Sequence, residues 1–231
     1  MPKVIKILSI DGGGIRGIIP AMILKVIETA TERPISDLFD LIAGTSTGGI
    51  LALGLTKPNA QGKPAYSAEK MIGLYEEKGP IIFNRSIWKK IHFLGNLTNE
   101  KYPAGPIEKI LEDYFGEVLL SDSLKPVVIP SYEIESRTPY FFKTSKAKEN
   151  PQDNFRMRQV ARATSAAPTY FAPCRLDIPG QDGYYALIDG GVFANNPTMC
   201  AFAEAKKFSS PEDDFLVVSL GTGELTRAIS Y

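Results

Sequence analysis

Three glycine-rich corners hold the residues best suited to chemistry. Gly44-Thr45-Ser46-Thr47-Gly48 fits G-x-S-x-G. That pattern presents a serine nucleophile on a sharp strand-to-helix turn, with glycine two positions away on each side because larger side chains would collide. Asp189-Gly190-Gly191 follows Leu187 and Ile188, so its carboxylate sits at a predicted strand end, where it can reach a hydroxyl in an open α/β sheet. Asp11-Gly12-Gly13-Gly14-Ile15-Arg16-Gly17 turns the chain on consecutive glycines just before a helical pattern. Outward N–H groups and the helix N-terminus make that corner hospitable to an anion. A serine, a carboxylate and a set of aimed N–H groups are what acyl transfer requires: a nucleophile, a base and donors for an oxyanion.

Each corner also has a plainer reading. Ser46 can simply cap the helix that follows, Asp189 can open a tight turn, and Arg16 can be a solvated surface arginine. Gly12, Gly14 and Gly17 match the dinucleotide fingerprint G-x-G-x-x-G, but the second strand ends in Gly44, Thr45 and Ser46 instead of an acidic residue. A Walker A loop is excluded because no lysine follows the glycines. His92 is the one histidine of the chain and would have to complete any Ser-His-Asp triad. It lies in Trp88-Lys89-Lys90-Ile91-His92-Phe93-Leu94, away from the corners and without a strand end before it.

The elements that must position these corners alternate. Val4, Ile5, Ile7, Leu8 and Ile10 read as a parallel strand covered on both faces. Ile18, Ile19, Met22, Ile23, Val26, Ile27 and Ala30 recur at helical spacing, with Pro34 as the stop. Leu41 to Ala43 and Ile50 to Leu55 repeat the strand and helix. Ser67 can cap a helix ending at Gly79 and Pro80, and Pro106 opens another that carries Ile107, Ile110, Leu111, Tyr114 and Phe115 before Gly116. Val127 to Ile134 and Tyr140 to Lys143 predict strands, Phe155 to Ala163 a helix, and Phe215 to Leu220 the last strand. Such alternation implies a layered α/β fold with a largely parallel sheet.

With 231 residues, 44% apolar and 23% charged, the chain has the balance of an ordinary globular domain, and residues 1–231 read as one. Lys and Arg total 26, as do Asp and Glu, with no face-sized basic run, which disfavours nucleic acid as a partner. Cys174 and Cys200 stand far apart with no histidine nearby, so they read as small core residues and not as a zinc or disulfide framework. The first apolar run is interrupted by Lys6 and Ser9 and is too short for a signal peptide or membrane span. A cytoplasmic location is the expectation.

The three corners, in this order, resemble the patatin-like phospholipase family over about residues 4 to 223. Asp11 to Gly17 is similar to that family's D-G-G-G-x-R-G loop, Ser46 to its nucleophile and Asp189 to its catalytic acid. Ala163-Thr164-Ser165-Ala166-Ala167-Pro168 and Asn195-Asn196-Pro197 resemble further family blocks. The resemblance implies a three-layer α/β/α sandwich with a mainly parallel central sheet, related to cytosolic phospholipase A2. It implies a serine hydrolase, without metal or cofactor, that releases fatty acids from phospholipid or other lipid esters through a Ser46-Asp189 dyad. Gly12, Gly13 and Gly14 would hold the oxyanion, with Gly13 and Gly14 the leading choices, supported by Arg16, Gly17, Gly44, Gly48, Gly190 and Gly191. Two alternatives use the same residues: a general carboxylesterase or thioesterase acting on soluble esters, and a non-catalytic anion-binding module.

A lipid substrate implies transient contact with a membrane surface. Ile81 to Tyr102 mixes Phe83, Trp88, Phe93 and Tyr102 with Arg85, Lys89, Lys90 and Lys101, which suits an interfacial flap as well as a loop packed on the core. Family domains usually continue with helices beyond the strand ending here at Leu220-Gly221-Thr222-Gly223. The chain is therefore expected to be short at its C-terminal side and to leave apolar surface uncovered.

Overall fold

The computed structural model of the chain describes residues 2–83 and 105–224. Strand β1 (Val4–Ile10) runs parallel to β2 (Leu41–Gly44) on one side and to β7 (Asp214–Leu220) on the other. Alternation along the strand sends successive side chains to opposite faces. Leu8 and Ile10 enter a large cluster with the helix α3 (Thr47–Thr56) and the helices Gly105–Phe115 and Met157–Thr164. Ile5 and Ile7 join Leu41, Ala43 and Val128 against Ala201 and Ala205 of the helix Thr198–Ala205. Helices thus cover both faces of one sheet, which is a three-layer α/β/α architecture.

The sheet is mixed. Its seven strands lie in the order β5-β6-β3-β2-β1-β7, with β4 paired to β3 off that path. β3 (Val127–Glu133) is parallel to β2, but it is antiparallel to both β4 (Thr138–Lys143) and β6 (Tyr184–Asp189), and β5 (Cys174–Asp177) is antiparallel to β6. The largely parallel sheet implied by the sequence therefore holds only from β7 to β3. A parallel return needs a crossover of a dozen or more residues, and Ile134 to Arg137 is too short for one. Arg137 instead turns the chain back at a φ of 56°.

One consequence of this register builds the site. β4 pairs with β3 from Val128 to Glu133, so β2 and β6 must share the opposite edge of β3. β2 ascends it through Ile42 and Ala43, opposite Val127 and Val128, while β6 descends it to Asp189, opposite Ser131. Their carboxyl ends meet head-on at Pro130, which has no N–H to offer either of them.

Helix α1 (Ile18–Thr31) departs from the expected stripe. It buries Pro20, Ala21 and Leu24 and lies beside the helix Ala68–Gly73, while Ile19, Met22, Ile23 and Val26 are exposed, Met22 by 56% and Val26 by 66%. It ends at Glu32, in the left-handed region, and Pro34 precedes a further short helix, α2 (Ile35–Leu38). Ser67 caps as expected, its Oγ accepting the Lys70 N–H at 3.3 Å. The chain does not stop at Gly79, however: a π-helical turn, Leu74–Lys78, passes it into the helix Gly79–Phe83, where Pro80 sits in the first turn and needs no donor. The helices Thr144–Glu149 and Thr198–Ala205 and the strand β5 had no clear sequence signal. Cys174 is buried as expected, whereas Cys200 is only half-buried. No helix among the described residues is long and apolar enough to cross a membrane.

The exposed side of α1 has a counterpart on β7, an edge strand where Leu216 and Val217 are also exposed. Apolar patches of this kind drive association. Copies of this chain are expected to associate as concentration rises, and Met22→Lys combined with Val26→Glu should weaken that association in sedimentation experiments. A wild-type chain that remains monomeric at every concentration would contradict this.

Candidate active site

Ser46 sits between β2 and α3 at φ 55° and ψ −121°, a conformation that costs a non-glycine residue on the order of 1–3 kcal/mol. The turn is tight enough to dictate its neighbours. A Cβ on Gly44 would lie 2.1 Å from the Gly48 carbonyl oxygen, and one on Gly48 would lie 2.2 Å from that of Ile10. Thr45 anchors the turn from both ends: its N–H donates to the Ile10 carbonyl (3.1 Å) and its hydroxyl to that of Ala194 (2.7 Å).

Ser46 and Asp189 are 143 residues apart in sequence, yet the Ser46 hydroxyl donates to Asp189 Oδ2 at 2.6 Å. The other carboxylate oxygen accepts the Gly191 N–H at 2.7 Å. Gly190 packs flush on β3, where a Cβ would come within 2.4 Å of the Pro130 carbonyl oxygen. Asp189 is buried, and burial pushes its carboxyl up to about 6, opposed by the Ser46 hydroxyl and the Gly191 N–H, which favour the charged form.

The glycine loop lies on the other side of Ser46. Gly12 is stapled in place: its N–H donates to the Asn195 carbonyl (3.0 Å), and its own carbonyl accepts the Thr222 hydroxyl (2.8 Å) and the Asn195 side-chain amide (3.4 Å). That N–H is spent, so Gly12 drops out of the oxyanion donors expected from the resemblance. Among the described residues, the N–H groups of Gly13 and Gly14 donate to no protein acceptor. Gly14 has a φ of 58°, and a Cβ on Gly17 would strike the Thr47 hydroxyl at 2.2 Å and that of Tyr75 at 2.7 Å. Arg16 braces this loop, its Nη1 donating to the Gly223 carbonyl at 3.1 Å.

A cavity of about 440 Å³ opens beside Ser46, walled mainly by Ile15, Ile50, Ile107, Ala167, Tyr170 and Phe171. Gly13, Gly14, Ser46 and Ala167 also line a shallower opening of about 270 Å³ bordered by Asp189, Val192 and Asn195. His92 and the aromatic and basic residues from Arg85 to Tyr102 lie outside the described residues.

Sequence reasoning missed three threonines that hold this site together: Thr45, Thr164 and Thr222. Thr164 fell inside a quoted block, Ala163 to Pro168, but nothing in that block says which hydroxyl turns inward.

A family model described as patatin-like phospholipase matches residues 8–202. Patatin-like protein 2 of Arabidopsis thaliana is 38% identical over 248 aligned positions, covering 96% of this chain and 60% of that protein. Patatin-like protein 2 of Oryza sativa subsp. indica is 36% identical, covering 96% and 61% respectively. The chain thus spans about three fifths of the length of the curated relatives it matches. Among solved structures, the type III effector protein ExoU aligns loosely, at 15% identity and a TM-score of 0.42, covering 96% of this chain and 49% of that one.

Proposed function

Because the chain belongs to the patatin-like phospholipase family, we propose that it hydrolyses fatty acyl esters of lipids through an acyl-enzyme on Ser46, with Asp189 as its base. The observation that carries this is the 2.6 Å hydrogen bond from Ser46 Oγ to a buried Asp189 carboxylate at the mouth of a cavity with largely apolar walls. Ser46 Oγ attacks the ester carbonyl carbon while its proton passes to Asp189 Oδ2. The negative charge gathering on the carbonyl oxygen is met by the N–H groups of Gly13 and Gly14. The C–O bond then breaks, Asp189 returns the proton to the leaving alcohol oxygen, and the acyl group remains on Ser46. Water attacks next, Asp189 taking its proton and handing one back to Ser46 as the fatty acid leaves.

The two openings divide these tasks. The acyl chain lies in the apolar cavity, and the alcohol portion of the ester leaves by the opening beside Asp189, the group that must protonate it. An apolar acyl cavity favours lipid esters over small soluble ones. The decisive experiment is mass spectrometry of mixed phospholipid vesicles incubated with the wild-type protein and with Ser46→Ala. Fatty acid and lysolipid should appear with the wild type alone. Equal turnover of soluble esters with no response to micelles or vesicles would instead indicate a general esterase, and failure of a fluorophosphonate probe to label Ser46 would indicate a non-catalytic module.

The raised proton affinity of Asp189 fixes two pH dependences. Only the carboxylate can accept the serine proton, so kcat/KM should fall tenfold per unit below about pH 6. Stability runs the other way. From about pH 4 to 6 the folded chain keeps a proton that an unfolded aspartate has lost, so stability falls as pH rises through that window and stays lower above it. A difference of about two units corresponds to about 3 kcal/mol. Asp189→Asn is uncharged and can still bond both Ser46 and Gly191. It should therefore melt several degrees above wild type at pH 7.5, with the gain vanishing near pH 4. A variant no more stable than wild type at pH 7.5 would refute the burial argument.

A further inference from the structure

Where β2 and β6 meet on the edge of β3, the ladder is interrupted, and one side chain fills the interruption. The Ser46 N–H donates to Thr164 Oγ1 at 3.0 Å, and the same hydroxyl donates to the Pro130 carbonyl at 2.6 Å. Thr164 is fully buried at the end of the helix Met157–Thr164. Two residues on, the Ala166 carbonyl accepts the Asp189 N–H at 3.0 Å. One short segment therefore holds the backbones of both Ser46 and Asp189.

We propose that Thr164 is a positioning residue for the Ser46-Asp189 pair, its hydroxyl setting the direction in which Ser46 meets the carboxylate. The inference rests on the dyad reading above. Its chemistry is specific: the group in this gap must accept from an N–H and donate to a carbonyl through a single atom, which a hydroxyl does and an aliphatic side chain cannot. Ser46 needs such a hold because its backbone is strained and would otherwise relax. The carbonyl end of the link is rigid, since Gly190 packs flush against Pro130. The methyl of Thr164 lies so close to Gly49 that a Cβ there would come within 2.8 Å of it, which fixes the rotamer that aims the hydroxyl. The link also occupies the Ser46 N–H and removes it from the oxyanion donors.

The test is Thr164→Val, which keeps the shape and removes the hydroxyl, beside Thr164→Ser, which keeps the hydroxyl, with Ser46→Ala in the same assay on a p-nitrophenyl ester of a medium-chain fatty acid. Thr164→Val should lower kcat about ten- to hundredfold, as small misplacements of reacting groups do, with KM within about threefold. It should also move the acidic limb of the pH profile upward, because the Ser46 hydroxyl no longer holds a charged Asp189 as well. Thr164→Ser should restore both to within a few-fold of wild type. Wild-type kcat and an unmoved acidic limb in Thr164→Val overturn the inference, as does a serine variant as impaired as the valine one, which would assign the loss to packing. If Thr164→Val does not fold, Thr164→Ala takes its place, and equal kcat in the alanine and serine variants is the overturning result. Activity persisting in Ser46→Ala would instead defeat the dyad reading itself.

Discussion

Ser46→Ala and Asp189→Asn are each expected to reduce ester hydrolysis by at least about a thousandfold, while His92→Ala folds normally and stays within a few-fold of wild type. A carboxylate is a weaker base than imidazole, so it can serve a serine only at hydrogen-bond distance and with raised proton affinity. Both conditions hold here: the contact is 2.6 Å, and burial brings Asp189 up to about 6. The second carboxylate oxygen is engaged by the Gly191 N–H, which orients the base much as a third residue would in a triad. Because the two residues act on one proton, their losses should not add, and the double variant should be hardly worse than either single one. Steady-state hydrolysis of a p-nitrophenyl ester, with circular dichroism as the folding control, measures all four variants against wild type. A folded His92→Ala as inactive as Ser46→Ala would replace the dyad with a triad.

The corners of the site were legible because each needs glycine for a steric reason that shows in sequence. Gly44 and Gly48 flank a turn in which either Cβ would overlap a carbonyl oxygen, which is the steric demand behind G-x-S-x-G. The meeting of Ser46 with Asp189 was not legible. It depends on β2 and β6 sharing one edge of β3 from opposite ends, which follows from the β3-β4 hairpin and from pairings between residues far apart in the chain. Thr164 illustrates the same limit. A threonine at a helix end carries no mark of its role, because that role is defined by Ser46, 118 residues earlier, and by Pro130. Helical periodicity misled at α1 for a related reason. It finds the widest apolar stripe, whereas the residues this helix buries are the smaller Pro20 and Ala21 along with Leu24.

The glycine loop should fail in two distinguishable ways when side chains are added to it. A Cβ on Gly13 would meet the Thr222 side chain, 2.3 Å from its hydroxyl and 2.5 Å from its Cβ, and Thr222 in turn holds the Gly12 carbonyl. Gly13→Ala therefore pushes the loop off its staple. Gly14 is constrained by its backbone; its φ of 58° is itself unfavourable for any other residue, by about 1–2 kcal/mol. In either variant an N–H aimed at the oxyanion turns away, and losing one such donor costs about 2.7–4 kcal/mol, or roughly a hundred- to a thousandfold in rate. Acylation should fall by that factor in Gly13→Val and Gly14→Val, while cosedimentation with phospholipid vesicles changes little, since neither glycine supplies the apolar walls of the cavity. The two causes separate in a rescue experiment. Thr222→Gly removes the obstructing atoms, so Gly13→Ala with Thr222→Gly should recover at least about tenfold over Gly13→Ala, even with one bond to Gly12 gone. The same second substitution does not change the φ required at residue 14 and should not rescue Gly14→Ala. Unchanged acylation rates in Gly13→Val and Gly14→Val would remove these two N–H groups from the mechanism and leave the oxyanion to be held elsewhere.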